Sequence, residues 1–260
     1  MANWTPLESS WAKFHRASSH LQDLDGELRR IAGEHAEPIG IERKINAQEA
    51  FLRVTRVPEF REAGLLLGDS VNNFRAALDH LTWDLVKLGL HPRLAPKQAI
   101  QVQFPLANSA KEFGNQRGRR TPGISDAEWR IIREYQPYRR DDRGRAVRVL
   151  RELSDTDKHR FIVPAVVSRS RFVGQIRLVG CAGTGIWMCP PRRALHVGTK
   201  LVRVQITPTE PEYDVQINSQ MTVQPSLGRG VPLMPSMLSV RTVTLEILSR
   251  FEELIFDETV

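Results

Sequence analysis

The sequence has little cysteine and no long apolar run. Two of its 260 residues are cysteine, Cys181 and Cys189, and they do not form a CxxC motif. Two thiols in a chain of this size favour a reducing compartment, although a disulfide across a hairpin is geometrically conceivable. No apolar stretch approaches the roughly 18 residues that span a bilayer, and residues 1–20 lack the pattern of a secretory signal. We therefore expect a cytoplasmic protein with no membrane partner.

The sequence also lacks the motifs of common cofactors and covalent nucleophiles. The glycine-rich stretch 180–185 matches neither a P-loop nor a dinucleotide fingerprint, and no GxSxG motif is present. We therefore expect no cofactor. A metal site is a weaker alternative without an HExxH motif, and none is assigned. The residues of suitable ligand type for it are Asp69, Asp79, His80, Asp157 and His159.

Positive charge is abundant, and arginine carries most of it. The net charge is +7, with 30 arginines against 7 lysines, and eleven of the arginines lie between residues 117 and 151. The guanidinium fork suits bidentate contact with phosphate, so this segment predicts binding of RNA or single-stranded nucleic acid. The alternative is a solvated arginine-rich surface, because acidic residues are interspersed among the arginines. The arginines assigned to substrate binding are Arg139, Arg140 and Arg143.

Helical periodicity near both ends and strand-like alternation between them predict an α+β protein, with a helical bundle core packed with an antiparallel β-sheet. Residues 90–123 are rich in Pro, Gly, Arg and Lys and are predicted to be irregular, with a mobile loop at 113–123. Helices are expected over 6–33, 58–89, 124–135, 145–153 and 236–258, a hairpin within 38–57, and short strands from residue 161.

We expect one domain over residues 1–260. Its alternative division has three parts. These are 1–160, mainly helical with the hairpin, 161–235, the antiparallel sheet, and 236–260, a helix that returns to the helical part.

The segment 65–88 carries the most informative pattern. At 100° per residue its apolar side chains form a stripe, which predicts a buried helix face. Its polar side chains are interleaved with Leu65, Ala76 and Trp83, which predicts a strip partly withdrawn from water where each group needs a partner. The apolar stripe consists of Leu67, Val71, Phe74, Leu78, Leu81, Leu85 and Leu88. The polar strip consists of Asp69, Asn72, Asn73, Arg75, Asp79 and His80.

Within the strip, Arg75 and His80 have the spacing R-x4-H. An imidazole can transfer a proton to or from a ribose hydroxyl near neutral pH, and a guanidinium can stabilise charge that develops on a phosphate. The helix resembles the signature helix of the HEPN superfamily of nucleotide-binding and ribonuclease domains. That resemblance implies a homodimer whose paired motifs face one cleft, and a metal-independent endoribonuclease with Arg75 and His80 as catalytic pair. Other members of that superfamily only bind nucleotides or nucleic acid.

A second group of polar residues, DTDKHR, occupies positions 155–160. Together with GDSVNNFRAALDH at 68–80, it resembles a family of uncharacterised bacterial proteins, many of them actinobacterial, that brings no known activity. One interpretation is a structural turn capped by Ser154, with ion pairs from Asp157. The other interpretation is functional. In it, His159 is a second acid/base group beside His80, and Lys158 and Arg160 contact the substrate.

The sequence thus predicts an RNA-binding protein with candidate metal-independent ribonuclease activity. The alternative is a non-catalytic module that binds a small molecule or a protein, in which the polar strip is a structural network. The assigned catalytic residues are Arg75, His80 and His159. The assigned substrate-binding residues, besides the three arginines named above, are Asp69, Asn73, Asp79, Lys158 and Arg160.

Overall fold

The computed structural model describes residues 5–33, 40–46, 48–90, 94–157, 165–168, 173–188, 194–220, 223–227 and 230–257. These residues form seven helices and antiparallel strands, so the predicted α+β class is confirmed. No helix in the described ranges combines the length and apolarity that crossing a membrane requires. The helices are α1 (Glu8–Gly33), α2 (Arg61–Leu90), α3 (Pro96–Ala99), α4 (Ala110–Arg120), α5 (Asp126–Glu134), α6 (Asp142–Asp157) and α7 (Leu233–Asp257). The strands are β1 (Gly40–Ile45), β2 (Glu49–Arg56), β3 (Ala165–Ser168), β4 (Val173–Val179), β5 (Cys181–Trp187), β6 (Lys200–Pro208), β7 (Asp214–Gln220) and β8 (Val223–Ser226).

Contacts divide the chain into two compact units. The helical unit comprises Met1–Leu24, Gly64–Ile162 and Pro235–Val260. The sheet unit comprises Asp25–Ala63 and Val163–Met234, and so includes the hairpin of β1 and β2. The expectation of one domain over residues 1–260 stays a prediction.

The sheet unit contains a four-stranded antiparallel sheet in the order β1-β2-β6-β5. The predicted hairpin supplies β1 and β2. Asn46 shapes its turn, because the side-chain oxygen accepts hydrogen bonds from the N–H groups of Gln48 and Glu49 at 2.9 and 2.8 Å. Strand β2 also pairs with β6, where the fully buried Ala50 and Val204 lie opposite each other. Two further antiparallel pairs join β3 to β8 and β4 to β7.

Helix α2 buries its apolar face in the helical unit. The prediction of a continuous helix over 65–88 is confirmed. The ring of Phe74 lies 5.9 Å from that of Phe14 in α1, and the Ser70 hydroxyl donates to the Ala17 carbonyl at 3.1 Å. Leu88 is 44% exposed because it lies in the last turn of α2, so its assignment to the buried stripe was wrong. The stripe residues that are 0% exposed are Leu67, Val71, Phe74, Leu78, Leu81 and Leu85.

Residues 110–120 form a helix, α4, so the prediction of an irregular segment and mobile loop was wrong there. The Ser109 hydroxyl accepts a hydrogen bond from the Glu112 N–H at 3.1 Å, which caps the helix. The Ser-x-x-Glu signal for this cap is visible in the sequence. Gly114 and Gly118 are poor helix formers and obscured it, and nothing lies within 4 Å of where their Cβ atoms would be.

Packing against α5 holds α4 in place. The buried ring of Phe113 stacks on Trp129 with centroids 3.9 Å apart and planes at 9°. Helix α5 itself starts at the predicted cap, since the Ser125 hydroxyl accepts from the Glu128 N–H at 3.2 Å. The Phe113–Trp129 stack therefore fixes α4 against a well-capped helix. The last turn of α4 carries Arg117, Arg119 and Arg120.

Candidate functional site

The polar strip of α2 is more open to solvent than its apolar neighbours suggested. Leu65 and Trp83 are themselves 49% and 38% exposed, and Asp69 and Asn72 are exposed. The predicted strip is thus withdrawn from water only in part, and Leu65 and Trp83 lie at the surface with it. The half-buried members of the strip are Asn73, Arg75, Asp79 and His80.

Arg75 and Asp79 hold the backbone of Phe104 between them. Arg75 donates from Nε to Asp79 Oδ2 at 3.1 Å, and its Nη2 lies 2.9 Å from Asp79 Oδ1. The same Nη2 donates to the Phe104 carbonyl at 2.9 Å, while the Phe104 N–H donates to Asp79 Oδ1 at 2.9 Å. One ion pair thus satisfies both backbone groups of a residue whose ring is 1% exposed. We call this group the Arg75–Asp79 clasp.

The clasp commits most of the Arg75 donors to holding the chain. We expect Arg75, Asp79 and His80 to bond to another segment, with residues 157–160 as the favoured source. For Arg75 and Asp79 such bonds are confirmed, with Phe104 as the partner. Residues 158–160 lie outside the described residues. Of the Arg75 side chain, 13% is exposed. A forked ion pair at this depth positions the segment 103–106. Arg75 Nη1 makes no hydrogen bond to a described residue.

His80 stands apart from the clasp. Its side chain is half-buried and makes no hydrogen bond to the described part of the chain. Arg75 and His80 are five positions apart on one helix, so their directions differ by about 140° around the helix axis. The two side chains of one chain thus leave α2 in different directions, and the Arg75 contacts go to Asp79 and Phe104. The predicted homodimer would add a second Arg75 and a second His80.

The end of α6 contacts α2 through Asp157. Asn72 donates from Nδ2 to Asp157 Oδ2 at 2.7 Å. A Cβ at Gly68 would lie 2.8 Å from Asp157 Oδ1, so glycine permits this close approach. Helix α6 continues to Asp157, so Ser154 lies inside it and the predicted capped turn was wrong. The hydrogen bond from Asn72 to Asp157 stabilises the last turn of α6, which extends beyond the predicted end at residue 153.

Other predicted site residues are not brought together in the described structure. Asn73 donates to the Asp69 carbonyl of its own helix at 2.8 Å, and the Asp69 side chain is exposed. Lys158, His159 and Arg160 lie outside the described residues, so their roles stay predictions. Within the described ranges, no group of three or more His, Cys, Asp or Glu side chains is placed to hold a metal ion.

Many of the arginines between 117 and 151 are paired with acidic side chains. Arg143 donates to Glu246 and lies 5.3 Å from the centre of the Tyr135 ring, and the Glu246 hydrogen bond raises the pKa of Arg143. Arg140 is exposed. Pairing lowers the positive charge that these side chains offer to a ligand. The paired arginines are Arg117 with Asp126, Arg139 with Asp141, Arg143 with Glu246, Arg145 with Asp142, and Arg151 with Asp155.

A cavity of about 240 Å³ lies beside the clasp, between the segment 103–106, α4 and α6. We call it the basic cavity. Both carboxylates in its lining are engaged. Glu112 accepts hydrogen bonds from the Asn108 N–H at 2.7 Å and from Gln116 at 3.1 Å, and Asp155 lies 3.6 Å from Arg151. The charged lining residues are Arg75, Arg119, Arg120, Arg151, Glu112 and Asp155.

Arg119 and Arg120 differ from the other arginines of this region. Neither makes an ion pair with a described residue, and both line the basic cavity. Burial lowers the pKa of the half-buried Arg120, and the neighbouring charges of Arg119 and Arg75 lower it further. An arginine destabilised by its own neighbours in this way gains from an added anion. The cavity therefore has the electrostatics of an anion site.

Arg119, Arg120 and Arg151 were not distinguished from the rest of the eleven arginines by sequence, and Ser154 was predicted only as a cap. A usable signal was present for two of them: Arg119 and Arg120 have no acidic residue within four positions along the chain.

No protein-family model matches the chain, and no curated protein or solved structure is significantly similar to it.

Proposed function

We propose that this protein is cytoplasmic and binds RNA, and that the basic cavity of the helical unit receives phosphate. One observation carries the proposal: Arg119 and Arg120 line a cavity without an acidic partner in the described residues, beside Arg75 and Arg151. Guanidinium groups without an ion-pair partner, such as those of Arg119 and Arg120, bind phosphate oxygens through charge-assisted hydrogen bonds. The four arginines of the lining outnumber its two carboxylates, Glu112 and Asp155.

The size of the cavity favours a part of a larger ligand. Pockets that enclose a small molecule measure about 300–1,000 Å³, and this cavity falls below that range at about 240 Å³. Its rim is open, because Arg119 and Asp155 are exposed. A ligand can therefore place one anionic group inside while the remainder lies outside on a chain of net charge +7. A polyanion such as RNA fits this arrangement.

Loss of both unpaired arginines should weaken RNA binding and its salt dependence. For Arg119→Gln with Arg120→Gln, the slope of log K against log salt should fall by about 0.7, because both arginines contact the one phosphate that enters the cavity. Fluorescence anisotropy with labelled single-stranded RNA across a salt series measures this slope. The control is Arg139→Gln with Arg140→Gln, which removes the same charge from the same segment but not from the cavity lining.

The control pair should change the slope less than the cavity pair. A larger effect of the control pair would place the RNA-binding site at Arg139 and Arg140, which the sequence predicted, and not at the basic cavity. Absence of binding at low salt by the unaltered protein would contradict RNA binding. It would favour the non-catalytic small-molecule or protein-binding module.

Ribonuclease activity is a second candidate function, favoured by the half-buried His80 with no hydrogen bond to a described residue. Both imidazole nitrogens are then available for proton transfer, as the resemblance to HEPN domains implies. The Arg75–Asp79 clasp weighs against Arg75 as its catalytic partner, because Arg75 supports the fold. By the same resemblance, this function requires a homodimer that brings two such motifs to one cleft.

In that case His80→Ala should abolish RNA cleavage by the purified protein and leave its circular dichroism spectrum unchanged. The loss would be of a proton shuttle and not of apolar packing. Cleavage should survive EDTA and leave a 2′,3′-cyclic phosphate, since the ribose hydroxyl is the attacking group. Activity that EDTA removes, or a monomer in sedimentation, would contradict it.

A further inference from the structure

Two hydrogen-bond donors in the lining of the basic cavity have no acceptor among the described residues. The Ser154 hydroxyl and Arg151 Nη1 are buried and make no hydrogen bond to the described part of the chain. Ser154 is 2% exposed and lies inside helix α6. Other buried groups without a described partner, such as the Ser10 hydroxyl, lie away from this cavity, whereas these two residues belong to its lining. An anion in the cavity can supply the acceptors that buried donors ordinarily have.

Arg151 is only partly committed to its ion pair. Its Nε lies 3.6 Å from Asp155 Oδ2, a long contact on the side of the guanidinium away from the free Nη1 position. The carboxylate and an anion can therefore use different edges of the same fork. Together with Arg119 and Arg120 on α4, the cavity presents cationic donors from two helices and one neutral hydroxyl.

We infer that the basic cavity binds the terminal phosphate of an RNA strand. Arg151 and Ser154 would distinguish this phosphomonoester from an internal phosphodiester. A terminal phosphate carries about −1.5 to −2 charges and three strong acceptor oxygens, whereas a diester carries one charge and two free oxygens. A lining with four arginines and a serine hydroxyl therefore favours the group with more charge and more acceptor oxygens. This inference rests on the proposed RNA binding and names the part of the strand that enters the cavity.

The geometry also favours an end over the interior of a strand. The cavity is below the size that encloses a whole small ligand, and Ser154 belongs to its buried wall. An internal phosphate would bring a ribose on each side into that volume, while a terminal phosphate brings one. The described lining contains one aromatic residue, Phe104, whose ring is buried, so base stacking inside the cavity is disfavoured.

The test compares end groups on one RNA sequence. Internally labelled single strands with two hydroxyl ends, a 5′-phosphate or a 3′-phosphate are titrated with the full-length protein. At least one phosphorylated form should bind about tenfold more tightly than the hydroxyl form, as expected for hydrogen bonds to a charged group. AMP is titrated as well, to test a phosphomonoester that is not part of a strand. It should bind more weakly than the phosphorylated strand.

Ser154→Ala should remove most of this preference, because it weakens binding of the phosphorylated strand more than binding of the hydroxyl-ended strand. The matched control is Ser10→Ala, because Ser10 is also a buried serine whose hydroxyl has no partner, and it does not line the cavity. Arg151→Gln should reduce the preference as well. Neither serine variant removes a hydrogen bond from the fold, so both should melt close to the unaltered protein.

Each outcome decides the inference. A preference that Ser154→Ala removes and Ser10→Ala keeps supports it. Equal binding of all three strands overturns it while leaving RNA binding intact. If AMP binds as tightly as the phosphorylated strand, the ligand is a free phosphomonoester and the inference is wrong. If none of the strands binds, both the inference and the proposed function are wrong.

Discussion

Replacing Asp79 with alanine is expected to lower the free energy of unfolding by about 2–4 kcal/mol. The substitution leaves the Arg75 guanidinium and the Phe104 N–H without their acceptor at a site where 13% of the Arg75 side chain is exposed. An uncompensated charge and an unpaired amide then remain partly buried. Urea denaturation followed by circular dichroism measures the loss.

The control for this prediction is Asp69→Ala, which removes an exposed carboxylate from the same helix. It should change the free energy by less than about 0.5 kcal/mol. The double variant Arg75→Met with Asp79→Leu should be more stable than Asp79→Ala, because no charge is left unpaired. Equal losses at positions 69 and 79 would show that the Arg75–Asp79 clasp contributes nothing to the fold.

Truncating Leu78 to alanine should cost about 2–5 kcal/mol of stability. Leu78 is 0% exposed, so the change removes apolar contacts and leaves a cavity in close-packed surroundings. The same denaturation experiment measures this loss. Leu88→Ala is the matched control, since it makes the same change in the same helix at a side chain that is 44% exposed.

The Leu88 variant should lose about 0.5 kcal/mol or less. A similar small loss at Leu78 would place the apolar stripe at the surface. The polar side of α2, which carries Arg75 and Asp79, would then no longer be the side opposite the core.

The fold could be predicted from the sequence where one local signal dominated. The period of the apolar stripe gave helix α2, and Asn46 with its neighbours gave the hairpin. Helix α4 was missed because two glycines outweighed the Ser109 cap in the pattern. Its stability comes from the Phe113–Trp129 stack, a tertiary contact that no local pattern contains.

The site was harder to predict because charge counts do not show pairing. Arg139 and Arg143 were assigned to substrate, yet each has a carboxylate partner, and the Glu246 partner of Arg143 lies in α7. Spacing to acidic residues would have separated Arg119 and Arg120 from most of the cluster. The Phe104 partner of the clasp is 25 residues from Asp79, and backbone groups at that distance leave no sequence signature.

Gly114 and Gly118 make the position of the arginines at the end of α4 depend on tertiary contacts. Each glycine weakens the helix by roughly 0.8–1 kcal/mol relative to alanine, so α4 has a low intrinsic tendency to stay folded. Arg119 and Arg120 keep their places because Phe113 is anchored on Trp129. Local opening of α4 would release both guanidinium groups together. For the proposed anion site, affinity would then depend on the Phe113–Trp129 stack, which is not part of the cavity lining.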